Sequence, residues 1–127
     1  MKMKPALIGL VAMTVMGAGG AAVHAGEGDP WFGRDKAYHF SASAVIAAGG
    51  YGVTRSFTDD RPTCLAVGGA LALTAGVGKE LYDLSGRGDP SLRDLTWDVL
   101  GTATGLLLTW AVDRFWISAP RTRPASP

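Results

Sequence analysis

Ionisable residues recur in three short stretches of this chain: Asp35-Lys36-Ala37-Tyr38-His39, Lys79-Glu80-Leu81-Tyr82-Asp83 and Asp94-Leu95-Thr96-Trp97-Asp98. Within them Asp35 and His39 stand four apart, as do Asp94 and Asp98, while Glu80 and Asp83 stand three apart. On a helix each pair shares one face. So many acidic groups in one place call for a cation among them: Lys36, Lys79, a protonated His39 or a metal. Three chemistries fit. The first is a structural polar plug in which Lys79 and His39 neutralise carboxylates and fix helix register. The second is a divalent metal site drawing on His39, Glu80, Asp83, Asp94 and Asp98, because one imidazole with several carboxylates suits Mg, Mn, Zn or Fe. The third is metal-free acid/base work or head-group recognition, with His39 carrying a proton and Lys79 contacting an anion. For catalysis, as a metal-dependent membrane hydrolase or transferase, the candidates are His39, Glu80 and Asp98; for binding, Asp35, Lys79, Asp83 and Asp94. No H-E-x-x-H, nucleophile elbow or phosphate loop narrows the choice, so no enzyme class follows.

Positioning these residues requires three helices running up, down and up. One starts at Asp35, with a carboxylate suited to a helix N-terminus, and no Asp, Glu, Lys or Arg occurs from Ala37 to Thr54. A polar turn over residues 55–61 leads to Pro62, which is suited to the first turn of a second helix, uncharged to Gly78. Ser85-Gly86-Arg87-Gly88-Asp89-Pro90 breaks the chain, and Ser91-Leu92-Arg93-Asp94 has the spacing of a capping box at the head of a third helix reaching about Trp116. In this arrangement the start of the first helix, the end of the second and the start of the third share a level. His39, Glu80 and Asp98 then form an inner layer beneath an outer rim of Asp35, Asp83 and Asp94. The fold class expected is all-α, without the alternation that strands need.

The 127 residues suffice for one small domain, and a balance of 12 basic to 11 acidic residues gives no bulk attraction to nucleic acid. Residues 1–25 read as a signal peptide: Lys2 and Lys4, an apolar core from Ala6 to about Met16, and Val23-His24-Ala25 with small residues at the inspected positions. Residues 26–34 form a flexible lead-in, 35–117 the helical domain, and 118–127 a disordered, proline-rich tail. The single cysteine, Cys64, excludes an internal disulfide and sits in an apolar run where a packing role is expected.

A soluble bundle needs a polar face on each helix. The second helix has none: residues 64–78 are apolar or small all the way round. Its uncharged run and those of its neighbours, 17, 18 and 14 residues, approach the length of about 20 that a membrane span needs. Trp31, Phe32, Tyr38, Tyr82 and Trp97 fall at one expected level and Tyr51, Phe57, Phe115 and Trp116 at the other, as interfacial belts do. Gly49, Gly50, Gly68, Gly69, Gly101 and Gly105 would let helices approach closely, the last two as a GxxxG pair. The expectation is a membrane-embedded bundle in the cell envelope with its cluster facing the periplasm. Its partners would be the lipid bilayer or envelope proteins, with self-association a further option. Loop charges, five basic residues on each side, set no direction, so orientation rests on the signal peptide.

The stretches Gly33-Arg34-Asp35-Lys36-Ala37-Tyr38-His39-Phe40-Ser41-Ala42-Ser43, Gly78-Lys79-Glu80-Leu81-Tyr82-Asp83 and Ser91-Leu92-Arg93-Asp94-Leu95-Thr96-Trp97-Asp98-Val99-Leu100-Gly101 resemble, in order and spacing, the YfiM-like family of small bacterial envelope proteins. A looser likeness joins the Asp-Lys-x-x-His start and the later Asp-rich, Gly-rich helix to VanZ-like membrane proteins. The resemblance implies an envelope location and a helical fold, and assigns no activity. YfiM-like proteins are usually described as lipoproteins. Here no cysteine stands near residue 25, so that anchor is not expected.

Overall fold

The computed structural model describes residues 28–118; the expected signal peptide at 1–25 and the tail from residue 119 lie outside them. Among the described residues every regular element is helical. Helix α1 spans Arg34–Arg55, one residue earlier than Asp35 suggested, and opens from an extended Gly33 with no side-chain cap. Asp35 in the first turn offsets the positive end of the helix dipole instead.

Helix α2 spans Arg61–Tyr82. Asp60 caps it by accepting the Thr63 N–H at 3.0 Å, and Pro62 occupies the first turn, where its missing N–H costs nothing. A wider, π-helical turn over Asp83–Arg87 extends it until Gly86, at φ 90°, takes the left-handed conformation that ends the helix. Helix α3 spans Leu92–Val112 and continues through a second such turn over Asp113–Ile117. Only half of the expected capping box forms at its head. Ser91 Oγ accepts the Asp94 N–H at 3.2 Å, but the carboxylate of Asp94 turns to Lys36, and the Ser91 N–H donates to Glu80 Oε2 at 2.6 Å.

Contacts along the helices fix their directions. Asp94 meets Lys36, Asp98 meets His39, and Asp113 meets Tyr51, so α1 and α3 run the same way. Helix α2 runs against them, with Gly68 beside Ala47 and Gly76 beside Asp98. Backbones approach closely at Gly101 and Gly105, where a Cβ would collide with the carbonyl oxygens of Phe40 and Ala44. Gly50 and Gly68 make a similar approach between α1 and α2. Gly49 does not take the packing role expected of it, since it faces open space, and Gly69 meets only the Leu106 side chain, at 3.4 Å.

What lies inside is small or polar. The buried apolar residues are Ala47, Tyr51, Cys64 and Ala72, while Lys36, His39, Ser43, Glu80, Asp83, Asp94, Asp98, Thr102 and Asp113 are also buried. Large apolar side chains point outward instead, among them Leu71, Leu81, Leu107 and Leu108, each at least half exposed. Cys64 is buried, as its apolar setting suggested. Tyr51 is not an interfacial residue: it is wholly buried with its hydroxyl on Asp113.

Candidate functional site

The head of α1, the foot of α2 and the head of α3 meet in a cluster of charged side chains. Lys36, only 2% exposed, is at its centre. Its ammonium group contacts Asp94 Oδ1 on α3 and Asp29 in the lead-in, and lies 3.5 Å from Asp35 Oδ2. An ammonium this deep is tolerable only when its hydrogen-bonding capacity is filled, and the carboxylates do so.

One turn further along α1, His39 lies between two aspartates of α3. Its Nδ1 is 3.1 Å from Asp98 Oδ1, which also accepts the Ser43 hydroxyl at 2.7 Å. Its Nε2 lies 3.3 Å from Asp94 Oδ2 and 4.0 Å from Asp35 Oδ1. The two oxygens of Asp94 are thus divided, Oδ1 to Lys36 and Oδ2 to the imidazole. Asp98 Oδ2 has no hydrogen-bond partner and abuts α2 at Gly76, where the absent side chain makes the room.

From α2, Lys79 pairs with Asp83 at 2.7 Å and reaches Glu80 Oε1 and Asp94 Oδ2, each at 3.7 Å. Gly88 leaves space for the Asp83 carboxylate. The lead-in closes the top. Asp29 holds both Lys36 and the Ser91 hydroxyl, and these hydrogen bonds keep its carboxyl below the ordinary carboxylate range. Trp97 Nε1 donates to the Trp31 carbonyl at 2.8 Å, Phe32 packs edge-on to Trp97, and the Arg93 guanidinium lies 5.0 Å from the centre of the Trp31 ring.

All the residues expected here come together: Asp35, His39, Lys79, Glu80, Asp83, Asp94 and Asp98 occupy one end, linked through Lys36 and Ser91. The layering differs from expectation. Asp83 and Asp94 are buried, and Asp94 spans the two layers with one oxygen on Lys36 and the other facing the imidazole, leaving Asp35 as the exposed rim. Asp29 and Ser43 join the cluster in addition to the residues expected there. The sequence carries a signal for Ser43, which follows His39 by one helical turn.

No family model, curated protein or solved structure matches the chain.

A second polar group, not anticipated, closes the opposite end. Asp113 accepts the Tyr51 hydroxyl at 2.8 Å, Arg55 Nε at 3.1 Å, Arg61 Nε at 2.8 Å and, on its other oxygen, the Ser118 hydroxyl at 3.0 Å. Arg55 also holds the Thr58 carbonyl and Asp59, tying the α1–α2 turn to the same point. Its signal was the pair of arginines flanking that turn, one level with a lone aspartate at the foot of α3.

Proposed function

We propose that the chain is a small integral membrane protein of the bacterial cell envelope, and that its cluster is a structural or interaction module on the periplasmic face. One observation carries this reading: ion pairs close both ends of the α1–α3 pair at equal spacing. Lys36 to Arg55 on α1 and Asp94 to Asp113 on α3 are each 19 residues. At about 1.5 Å per residue the two tiers are roughly 28 Å apart, close to the hydrocarbon thickness of about 30 Å. Charges placed at these depths lie at the boundary, where they cost far less than at the bilayer centre.

Other features support it. The segments Arg61–Arg87 and Leu92–Ile117 are long and apolar enough to cross a membrane, and little of either is buried against protein. Lipid is the solvent in which Leu71, Leu107 and Leu108 belong on the outside. Trp31, Phe32, Tyr38 and Tyr82 are exposed near one tier and Phe57, Phe115 and Trp116 near the other, as interfacial aromatic residues are. The stretches that carry the YfiM-like resemblance are those that build the cluster, and the proposed orientation follows the signal-peptide reading.

The test is alkaline carbonate extraction of membranes together with thiol labelling. The protein is expected to stay in the pellet. Asp89→Cys, in the exposed loop beside the cluster, should react with an impermeant maleimide added to the periplasmic side, and Phe57→Cys only after permeabilisation. Complete release into the carbonate supernatant would end the integral reading; labelling in the reverse order would end the orientation.

A further inference from the structure

We infer that Asp35, His39 and Asp94 form a binding site for one first-row divalent cation of the Zn2+ or Mn2+ kind, with Asp98 and Ser43 orienting the imidazole. The inference goes beyond the membrane reading and stands apart from it. It begins at Asp98 Oδ1, which already accepts the Ser43 hydroxyl and lies 3.1 Å from His39 Nδ1. An ionised carboxylate only accepts, and both ring nitrogens face one; in the neutral ring the nitrogen nearer its carboxylate, Nδ1 at 3.1 Å against Nε2 at 3.3 Å, takes the proton. In the neutral imidazole Nε2 then carries a lone pair. That lone pair faces Asp94 Oδ2 at 3.3 Å and Asp35 Oδ1 at 4.0 Å. Three acceptor atoms from these residues, all within 4.8 Å of one another, surround one point. They repel one another unless something positive lies between them.

The lysines do not meet that need. Lys36 pairs with Asp94 Oδ1 and Asp29 and lies 3.5 Å from Asp35 Oδ2, so it meets the other oxygens of these two aspartates and not the pair that faces Nε2; Lys79 is closest to Asp83, remaining 3.7 Å from Asp94 Oδ2. Glu80 adds a further buried acceptor beside the cluster, with Lys79 as its cation. It is 6% exposed, its Oε1 has no hydrogen-bond partner, and that oxygen and Asp94 Oδ2 are both 3.7 Å from the same Lys79 nitrogen.

The donor set selects the ion. Imidazole nitrogen with carboxylate oxygen suits Zn2+, Mn2+ or Fe2+, whereas Mg2+ and Ca2+ favour oxygen throughout. The hydrogen bond from Nδ1 to Asp98 is the carboxylate–histidine–metal arrangement that fixes tautomer and ring orientation. Donor–metal distances of about 2.0–2.2 Å require the atoms to draw inward, and Asp35, with its side chain 66% exposed, is free to do so and gives the ion a route from solvent.

The full chain, purified in detergent and stripped with chelator, would be titrated with Zn2+ and with Mn2+ by calorimetry, and the His39 ring nitrogens followed by 15N NMR with Zn2+. One ion per chain is expected, with the Nε2 resonance moving on binding. Asp35→Asn, an exposed change that leaves the fold intact, should weaken affinity at least about tenfold, and Asp98→Asn, which does not touch the ion, about 10–100-fold. His39→Gln should abolish binding, and Asp89→Asn leave it unchanged. Absence of stoichiometric binding, equal affinity in the Asp35→Asn protein, or an Nε2 resonance that does not move at saturating Zn2+ would each overturn the site. None of these results bears on whether carbonate releases the protein.

Discussion

Asp113 is a buried anion whose partners come from α1, from the head of α2 and from Ser118 beyond its own helix. Removing one member of such a group leaves its partners charged or polar without compensation, at a cost of about 3–5 kcal/mol. Asp113→Ala is therefore expected to lose stability of that order in denaturant unfolding of the purified protein, and Asp113→Asn less, since an amide oxygen still accepts from Tyr51. Asp29 makes a pH-dependent contribution. Its carboxyl titrates lower in the folded chain than in the unfolded one, so its stabilisation is full above the unfolded value of about 3.9 and is lost as pH falls through the folded one. Asp29→Asn should lower the melting temperature at pH 7, and the gap between variant and parent should close as the solution is acidified below about pH 4. The helical spacing of Asp35/His39 and Asp94/Asp98 was enough to name most of the cluster. Asp29 escaped because loop residues have no periodicity to betray their position. Asp113 escaped because a single charge at a helix end reads as a solvated terminus until its partners are placed beside it.

At the scale of elements, glycines separate into two kinds. Gly101 and Gly105 bring the α3 backbone against that of α1, where no side chain can give way. Gly101→Ala is expected to destabilise by about 1–3 kcal/mol through overpacking. Gly49→Ala meets nothing within 4 Å and should stabilise by up to about 1 kcal/mol through helix propensity. Thermal melts of the two variants side by side check both signs. From sequence alone the two kinds look the same, because composition says that a helix can be approached closely but not on which side. Helix limits were better marked: Pro62, the Gly86 break and Ser91 all lie at observed ends. The reciprocal arm of the capping box failed for a tertiary reason, since Lys36 draws the Asp94 carboxylate away and Glu80 takes the vacated amide. Local spacing could not anticipate competition from residues 58 and 11 positions away.

At the scale of the molecule, among the described residues, carboxylates and a lysine lie inside and several leucines outside. The absence of a polar stripe on the second helix pointed to this arrangement. What the pattern could not give was how unequal the three helices are. Helices α2 and α3 pass the test of length and apolarity for a span, whereas α1 is not among the segments that do. Yet α1 carries Lys36 and His39, whose buried partners Asp94 and Asp98 lie 58 and 59 residues later in the chain. During synthesis, then, the first of the three described helices to leave the ribosome is the one that does not pass the test for a span. If it crosses the bilayer, it must wait in the insertion machinery, or at the water boundary, until α3 arrives with the counter-charges, so the order of translation and the order of settling differ.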